Sequence, residues 1–503
     1  MSRQAIWIKG ALLLTIAGFI SKVLGMIYRV PLQNMAGDEG LYIYQQVYPI
    51  LSIAILLSVY SIPGALSHTL KDKDQQIDAR LPNTWAVFYW LFGLGFIIFL
   101  GIWLSSDFLS SVMGDASLAP SIKAASLMFL IIPFTALFRG FFQSVHLTEY
   151  VAISQVVEQM VRVFGIIIVT IVAVNHLPIY SIGVLTSIAT IIGAVIAGLW
   201  LTLMFRRKKT AYKLSKHQKL KGTFVQSLLI GIAVYSITYV LHLVLQVVDV
   251  FSLVDLLRKY GLAFEEAKIA KGVFDRSHSM VQLGLVIGSS LALALIPALN
   301  KDLNQQLLAL KWTFLLSLSA SLGLVAVMPN LNPLLFITRQ GTYSIQLMMG
   351  LVFLLSMTIV ISVFLQEYNY RIQQLKWVLM MIIIKWCLNI LLIPKFGLVG
   401  SSMAYLVAVS FLLLVFIVKW KQLTKVSIPF KFFIKILLLS VIMLGAVWSI
   451  NQWLIVDRLV LIPIVLAQCV LGILIILIGL YVFKIFSKNE WMALVGHRFE
   501  RRS

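Results

Sequence analysis

Apolar runs of about 20 residues, the length that crosses the hydrocarbon core of a bilayer as one α-helix, follow one another along the chain. The chain of 503 residues is 60% hydrophobic and 12% charged, with a mean hydropathy of +0.96, too apolar for a soluble globular protein. The sequence therefore predicts an all-α polytopic membrane protein. About fourteen spans are expected, near residues 10–31, 41–66, 84–105, 120–144, 150–174, 180–205, 223–250, 273–297, 307–328, 345–366, 376–394, 398–418, 432–450 and 459–483.

Basic residues set the expected orientation of these spans. The formal net charge is +22, but the lysines and arginines lie in short loops between apolar runs, which indicates membrane topology and not nucleic-acid binding. They concentrate at 206–221, at 419–435 and after 484, so these intervals are predicted to be cytoplasmic. We expect a multi-pass protein of the plasma membrane with both termini in the cytoplasm. The exception is an opposite loop that contains Arg258, Lys259, Lys268 and Lys271.

The basic interval divides the chain into two parts with similar local patterns. The second span ends with Ile-Pro-Gly at 62–64, and the eighth ends with Ile-Pro-Ala at 296–298. Similar short patterns at corresponding positions of two halves are typical of transporters built from two repeated lobes. We expect two six-helix lobes plus two C-terminal helices, divided as an N-lobe over 1–205, a basic cytoplasmic linker over 206–222, a C-lobe over 223–420, and two appended spans with a basic tail over 421–503.

The stretch 139–162 places charged and polar side chains at membrane depth in a helical hairpin. Arg139 and Gln143 end one span, and Glu158 and Arg162 lie in the next, with a turn near 146–149 between them. Charges in lipid are costly, so these groups are expected to face a bundle interior or a watery cavity. Glu158 lies one turn before Arg162, the favourable order for an ion pair. The pair either joins helices or contacts substrate directly.

Further polar side chains lie in the first, seventh and eighth spans. Lys22 and Arg29 are seven residues apart and share one helical face. Alternatively, Arg29 extends to the outer interface and Lys22 pairs with an acid. The seventh span presents a polar face that could meet the first, with His242, Gln246 and Asp249, and the eighth begins with Asp275 and Arg276.

The eleventh span contains Lys385 and, one turn later, Asn389. The preferred interpretation of Lys385 is an anchor between helices, with Glu367 as a candidate partner. Substrate contact is the alternative.

Two motifs resemble those of polysaccharide-biosynthesis flippases in the multidrug/oligosaccharidyl-lipid/polysaccharide (MOP) exporter superfamily. They are RGFFQ at 139–143 followed by SQVVEQMVR at 154–162, and KWCLNILLIPKFGLVG at 385–400. The pattern is similar to the branch that contains stage V sporulation protein B, YabM and the lipid II flippase MurJ. The resemblance implies two lobes and a cationic central cavity to which Lys22, Arg29 and Arg276 contribute. After Pro49, where MurJ-type flippases have an arginine, this chain has none.

Enzymatic motifs are absent from the sequence. It contains no glycine-rich nucleotide loop and no zinc-protease or paired-cysteine motif, so no cofactor, metal or catalysis is expected. Cys387 and Cys469 both lie in predicted spans and indicate no disulfide framework. The first apolar run lacks a convincing cleavage site and is interpreted as an uncleaved span.

The leading hypothesis is a flippase that moves an undecaprenyl-diphosphate-linked sugar, lipid II or another polysaccharide precursor, by alternating access. The alternatives are a cation-coupled multidrug exporter and a scaffold for cell-wall synthesis enzymes. Membrane lipids are expected partners. The predicted substrate-binding residues are Lys22, Arg29, Gln246, Asp249, Asp275 and Arg276, and the predicted structural or gating residues are Arg139, Gln143, Glu158, Arg162, Lys385 and Asn389.

Overall fold

Helices joined by short turns make up nearly all of the part of the chain that the structure describes. The structure is a computed structural model, which describes residues 13, 16–21, 23–69, 84–208, 222–295, 302–426, 430–451 and 458–486. No β-strand occurs among these residues. Helical residues 16–21 and 23–27 precede the first helix that has defined bounds.

The helices, in chain order, are α1 (Arg29–Leu56), α2 (Ile62–Thr69), α3 (Thr84–Leu104), α4 (Ser106–Val112), α5 (Ala119–Ser126), α6 (Met128–Ser144), α7 (Thr148–His176), α8 (Ser181–Lys208), α9 (Gly222–Tyr260), α10 (Phe264–Leu295), α11 (Leu303–Phe336), α12 (Thr342–Glu367), α13 (Arg371–Thr424), α14 (Phe430–Trp448) and α15 (Arg458–Val482). The turn between α6 and α7 lies where the sequence predicts it, and His146 there has a φ of 62°.

Ten helical stretches in the described residues are long and apolar enough to cross a membrane. Two of them, Ile16–Ser67 and Arg371–Thr424, contain 52 and 54 residues, more than twice the ~30 Å hydrocarbon core at about 1.5 Å per residue. Each is broken at a glycine with positive φ, Gly37 at 69° or Gly397 at 55°, so each supplies two crossings. Helices α9 and α10 lie where the seventh and eighth spans are predicted. The all-α polytopic architecture is confirmed.

Orientation in the membrane stays a prediction, and it can be tested directly. Tags placed at residue 215, in the basic interval outside the described residues, and at the C-terminus should both be cytoplasmic, because lysines and arginines concentrate there. The measurement is the accessibility of each tag in intact cells and in inside-out vesicles. An extracytoplasmic tag at either place would contradict the fourteen-span topology.

The helices form two compact units, Met1–Ser279 with Arg371–Ala404, and Met280–Tyr370 with Tyr405–Ser503. These bounds differ from those of the predicted lobes because α9 and the first part of α10 pack with the helices before residue 209. The division into two six-helix lobes stays a prediction.

In the first unit, small residues bring α7 and α8 close together. A Cβ at Gly193 of α8 would lie 2.8 Å from the carbonyl oxygen of Glu158, and a Cβ at Gly165 of α7 would lie 3.1 Å from the Cβ of Ala189. Small residues at helix contacts let the backbones approach closely in membrane proteins. This packing places Glu158 and Arg162 inside the unit.

The break at Gly37 rests directly on α10. A Cβ at Gly272 of α10 would overlap the carbonyl oxygen of Asp38, so only a glycine fits at this position without a shift. The contact holds Asp38 and Glu39 against the α10 face that contains Lys268 and Arg276.

Substitution of Gly272 tests this close contact. We expect Gly272→Ala to lower the free energy of unfolding by about 1–3 kcal/mol because the backbone at Asp38 must move. The matched control is Gly93→Ala in α3, where an added Cβ meets nothing within 4 Å and alanine is the better helix former. Thermal unfolding in detergent measures both variants. Equal stability of the two would contradict the close contact.

In the second unit, α14 and α15 pack on α11. The side-chain amide of Asn330 donates to Asn451 and Gln468, each at 3.2 Å, and Gln468 donates to the carbonyl oxygen of Val447 at 3.1 Å. The rings of Trp312 and Phe486 stack with centroids 4.1 Å apart.

Candidate functional site

Glu158 lies between two buried arginines in the first unit. Its carboxylate accepts from Arg139 Nη2 at 2.7 Å and pairs with Arg162 Nη2 through the other oxygen. Arg139 also donates to Ser154 and Ser58, each at 3.0 Å, and all three charged side chains are buried. The predicted ion pair of Glu158 and Arg162 is confirmed, and Arg139 is a second partner. Gln143 is half-buried at the end of α6.

The acids that follow the Gly37 break pair with cations of α10. Arg276 is fully buried and forms a bidentate pair with Asp38, in which Nε donates to Oδ1 at 2.8 Å and Nη2 pairs with Oδ2. Lys268 lies 3.1 Å from Glu39 and 2.7 Å from Glu265. Arg276 was predicted to contribute its charge to a central cavity, and Asp38 was not predicted as its partner. In the structure this guanidinium is already neutralised.

Two lysines of the loop that is the exception to the charge rule lie in helix α10. Lys271 Nζ lies 2.6 Å from Asp275 Oδ2, one helical turn away, and both side chains are buried. Lys268 and Lys271 are therefore buried side chains of α10 with acidic partners and not free loop cations.

Arg29 is enclosed at the start of α1. It is only 1% exposed, which excludes the alternative that its side chain extends to the membrane interface. Its Nη1 donates to Ser279 Oγ at 3.3 Å, and its guanidinium carbon lies 4.6 Å from the ring centroid of Tyr48. Ser279 is three residues after Arg276 on the same helix, so Arg29 of α1 contacts α10 about one turn from Arg276. Lys22 lies outside the described residues.

Asp249 on α9 is bound to α13. Lys385 Nζ pairs with Asp249 Oδ1, and Asn389 donates to the same oxygen at 2.9 Å and to Ser252 Oγ at 3.0 Å. Lys385 is an anchor between helices as predicted, and the partner that the structure shows is Asp249, which the sequence did not suggest. Asp249 itself binds α13, 136 residues away in sequence, whereas His242 of the same polar face interacts with Arg29 of the predicted first span.

Two histidines complete the polar interior near α10. Gln246 Nε2 lies 2.8 Å from His242 Nε2, and the rings of His242 and His278 meet edge to face with centroids 5.4 Å apart. His278 Nε2 lies 3.6 Å from Asp275 Oδ1. His278 was not among the site residues predicted from the sequence. Its position three residues after Asp275, on the same helical face, was the available signal.

The fold and these buried ion pairs define a polytopic transporter fold with a charged interior. The sequence matches the family described as Polysaccharide biosynthesis protein over residues 7–303, more than half of the chain. The chain belongs to this family, within the flippase branch of the MOP superfamily.

Two relatives from Bacillus subtilis (strain 168) support this assignment. The membrane protein YabM is 33% identical over 418 residues, which cover 80% of this chain and 78% of YabM. Stage V sporulation protein B is 26% identical over 320 residues, which cover 61% of this chain and 60% of the relative.

Two solved structures have the same fold. The lipid II flippase MurJ in an inward closed conformation aligns with a TM-score of 0.67 at 15% identity, over 94% of this chain and 98% of MurJ. An inward-facing multidrug resistance MATE family transporter of the MOP superfamily aligns with a TM-score of 0.66 at 14% identity, over 81% of this chain and 96% of that transporter. At this identity the likeness concerns the fold alone.

Proposed function

We propose that this protein is a flippase of the plasma membrane that moves an undecaprenyl-diphosphate-linked sugar from the cytoplasmic to the outer leaflet by alternating access. Family membership supports a transporter of lipid-linked precursors. The observation that supports the choice of an anionic lipid is the contact of the buried Arg29 with Ser279 of α10, about one helical turn after the buried Arg276.

The chemistry of the headgroup explains why buried arginines are needed. A diphosphate bridging two substituents carries two negative charges, and its removal from water is tolerable only if fixed donors replace the lost hydration. Guanidinium groups bind phosphate oxygens in a bidentate, charge-assisted manner. Arg29, Arg276 and Lys22 are the groups proposed for this role, and the isoprenoid tail stays in the lipid.

Asp38 has a defined part in this proposal. Its carboxylate occupies both donor atoms of one edge of Arg276, as a phosphate would. Asp38 therefore serves as the resident anion of Arg276 when no lipid is bound, and the diphosphate replaces it. Because Asp38 follows the Gly37 break, its release frees the junction between the first two spans to move.

A cation-coupled exporter of the same superfamily is the second candidate, because the multidrug transporter has the same fold and this chain also contains buried acids. Export of organic cations requires a carboxylate that is available to the drug. Here Asp249 is held by Lys385 and Asp275 by Lys271, which favours the anionic substrate.

Reconstitution in vesicles separates the two functions. The purified protein should move a fluorescent undecaprenyl-diphosphate-linked sugar between leaflets and should not accumulate a cationic dye under an imposed ion gradient. Dye accumulation without lipid movement would favour the exporter. Protein-free vesicles prepared in parallel give the spontaneous rate.

A further inference from the structure

The proposed diphosphate site has titratable neighbours for which the proposed function has no role. His242 of α9 and His278 of α10 touch, and both interact electrostatically with Arg29. Within the described part of the chain, the buried Nδ1 atom of His242 has no hydrogen-bond partner. An imidazole beside a cation that binds an anionic ligand can change its protonation state when the charge of that ligand arrives.

The charges around the pair favour its neutral form when no lipid is bound. His278 is buried, and burial by itself opposes its ionisation; the neighbouring cations Lys271 of the same helix, Arg29 of α1 and Lys385 of α13 add to this effect. Arg276 lies two residues away on α10. Two imidazoles in contact also oppose each other's ionisation, so the pair can hold at most one proton.

The groups that would stabilise one proton are nevertheless in place. Asp275 binds Lys271 with Oδ2 and directs Oδ1 at His278 Nε2, 3.6 Å away. On α9, Gln246 Nε2 faces His242 Nε2 at 2.8 Å, and rotation of this amide by half a turn presents its oxygen to a protonated ring. Asp249, three residues after Gln246 on α9, is held by Lys385.

We propose that the His242 and His278 pair is a proton-binding site that takes up one proton when the diphosphate binds. This inference rests on the proposed function. Two negative charges at Arg29 offset the cations that oppose ionisation of the pair, so lipid and proton bind cooperatively. By linkage, the affinity for the lipid then falls as the pH rises.

The test needs a ligand whose own charge is constant. A farnesyl-diphosphate-linked N-acetylglucosamine is suitable because both phosphates are esterified and neither titrates near neutral pH. Calorimetric titrations of the purified full-length protein at pH 7, in buffers of different ionisation enthalpy, give the number of protons taken up per ligand. We expect this number to approach one, and the dissociation constant to rise by up to about tenfold per pH unit between about pH 6 and 8.

Three variants locate the proton. His242→Gln and His278→Gln should each bind the ligand with little or no proton uptake, whereas the exposed His176→Gln should behave like the parent. If the parent protein binds the ligand with the same enthalpy in every buffer, no proton is taken up, and the inference is overturned while the proposed function stands. This outcome does not depend on whether the variants fold. Proton uptake that persists in both histidine variants, when both are folded, would also overturn the inference. If the parent protein does not bind the ligand, the proposed function and this inference both fail.

Discussion

Arg29→Ala is expected to reduce translocation of a diphosphate-linked lipid by about 100-fold or more at an unchanged protein level in the membrane. A charge-assisted hydrogen bond contributes roughly 1.5–3 kcal/mol, and a bidentate contact supplies two of them, with about 1.4 kcal/mol for each tenfold change. Removal of a buried cation does not hinder insertion, because charged residues are the costly ones in a span. The measurement is lipid translocation in reconstituted vesicles, normalised to the amount of folded protein.

The matched control is Arg258→Ala, which removes an exposed arginine at the end of α9 and should transport like the parent. Arg29→Lys should retain partial activity because the charge survives without the bidentate geometry. Arg276 needs a different design, since Arg276→Ala alone leaves Asp38 without its buried partner. The double variant Arg276→Ala with Asp38→Asn avoids this unpaired charge, so its transport rate reports the loss of the phosphate contact alone. If Arg29→Ala transports the lipid at the rate of the parent protein, Arg29 is not part of the substrate site.

Glu158→Ala is expected to lower the free energy of unfolding by about 3–5 kcal/mol, because it leaves Arg139 and Arg162 buried without their shared carboxylate. The loss should appear as a large drop in the unfolding temperature of the detergent-purified protein. Exchange of Glu158 and Arg162 should not rescue stability, because it would place an arginine at 158 opposite Arg139.

Two further variants separate charge pairing from loss of packing. Glu149→Ala removes an exposed acid from the first turn of the same helix and should change stability by less than about 1 kcal/mol. Glu158→Leu combined with Arg139→Met and Arg162→Leu should be more stable than Glu158→Ala, since a buried ion cluster can often be replaced by apolar side chains without loss. Equal instability of the triple variant and Glu158→Ala would contradict an electrostatic origin.

The sequence predicted the elements of the fold well because lipid leaves few choices. Each span requires a long apolar run, so the helix positions could be predicted from hydropathy. The pair of Glu158 and Arg162 could also be predicted, because partners one turn apart are visible in the sequence.

The partners of the other buried charges could not be predicted in this way. Arg276 and Asp38 are separated by 238 residues, and Lys385 and Asp249 by 136, so no periodicity connects them. Asp38 falls between the predicted first and second spans, at 10–31 and 41–66, so the sequence alone places it in a loop. Only the close contact of that segment with Gly272 brings it to Arg276. Local patterns predict which charges are buried, and packing determines how they pair.

The central claim is that buried cations select a lipid by its diphosphate. The most direct measurement compares translocation of two lipids with the same sugar and the same isoprenoid tail, one joined by a diphosphate and one by an uncharged linker, in vesicles that contain the parent protein or Arg29→Ala. We predict that the parent moves the diphosphate lipid at least about tenfold faster than the neutral one, equivalent to at least 1.4 kcal/mol of selectivity, and that Arg29→Ala loses most of this preference. Equal rates for both lipids with the parent protein would contradict the claim.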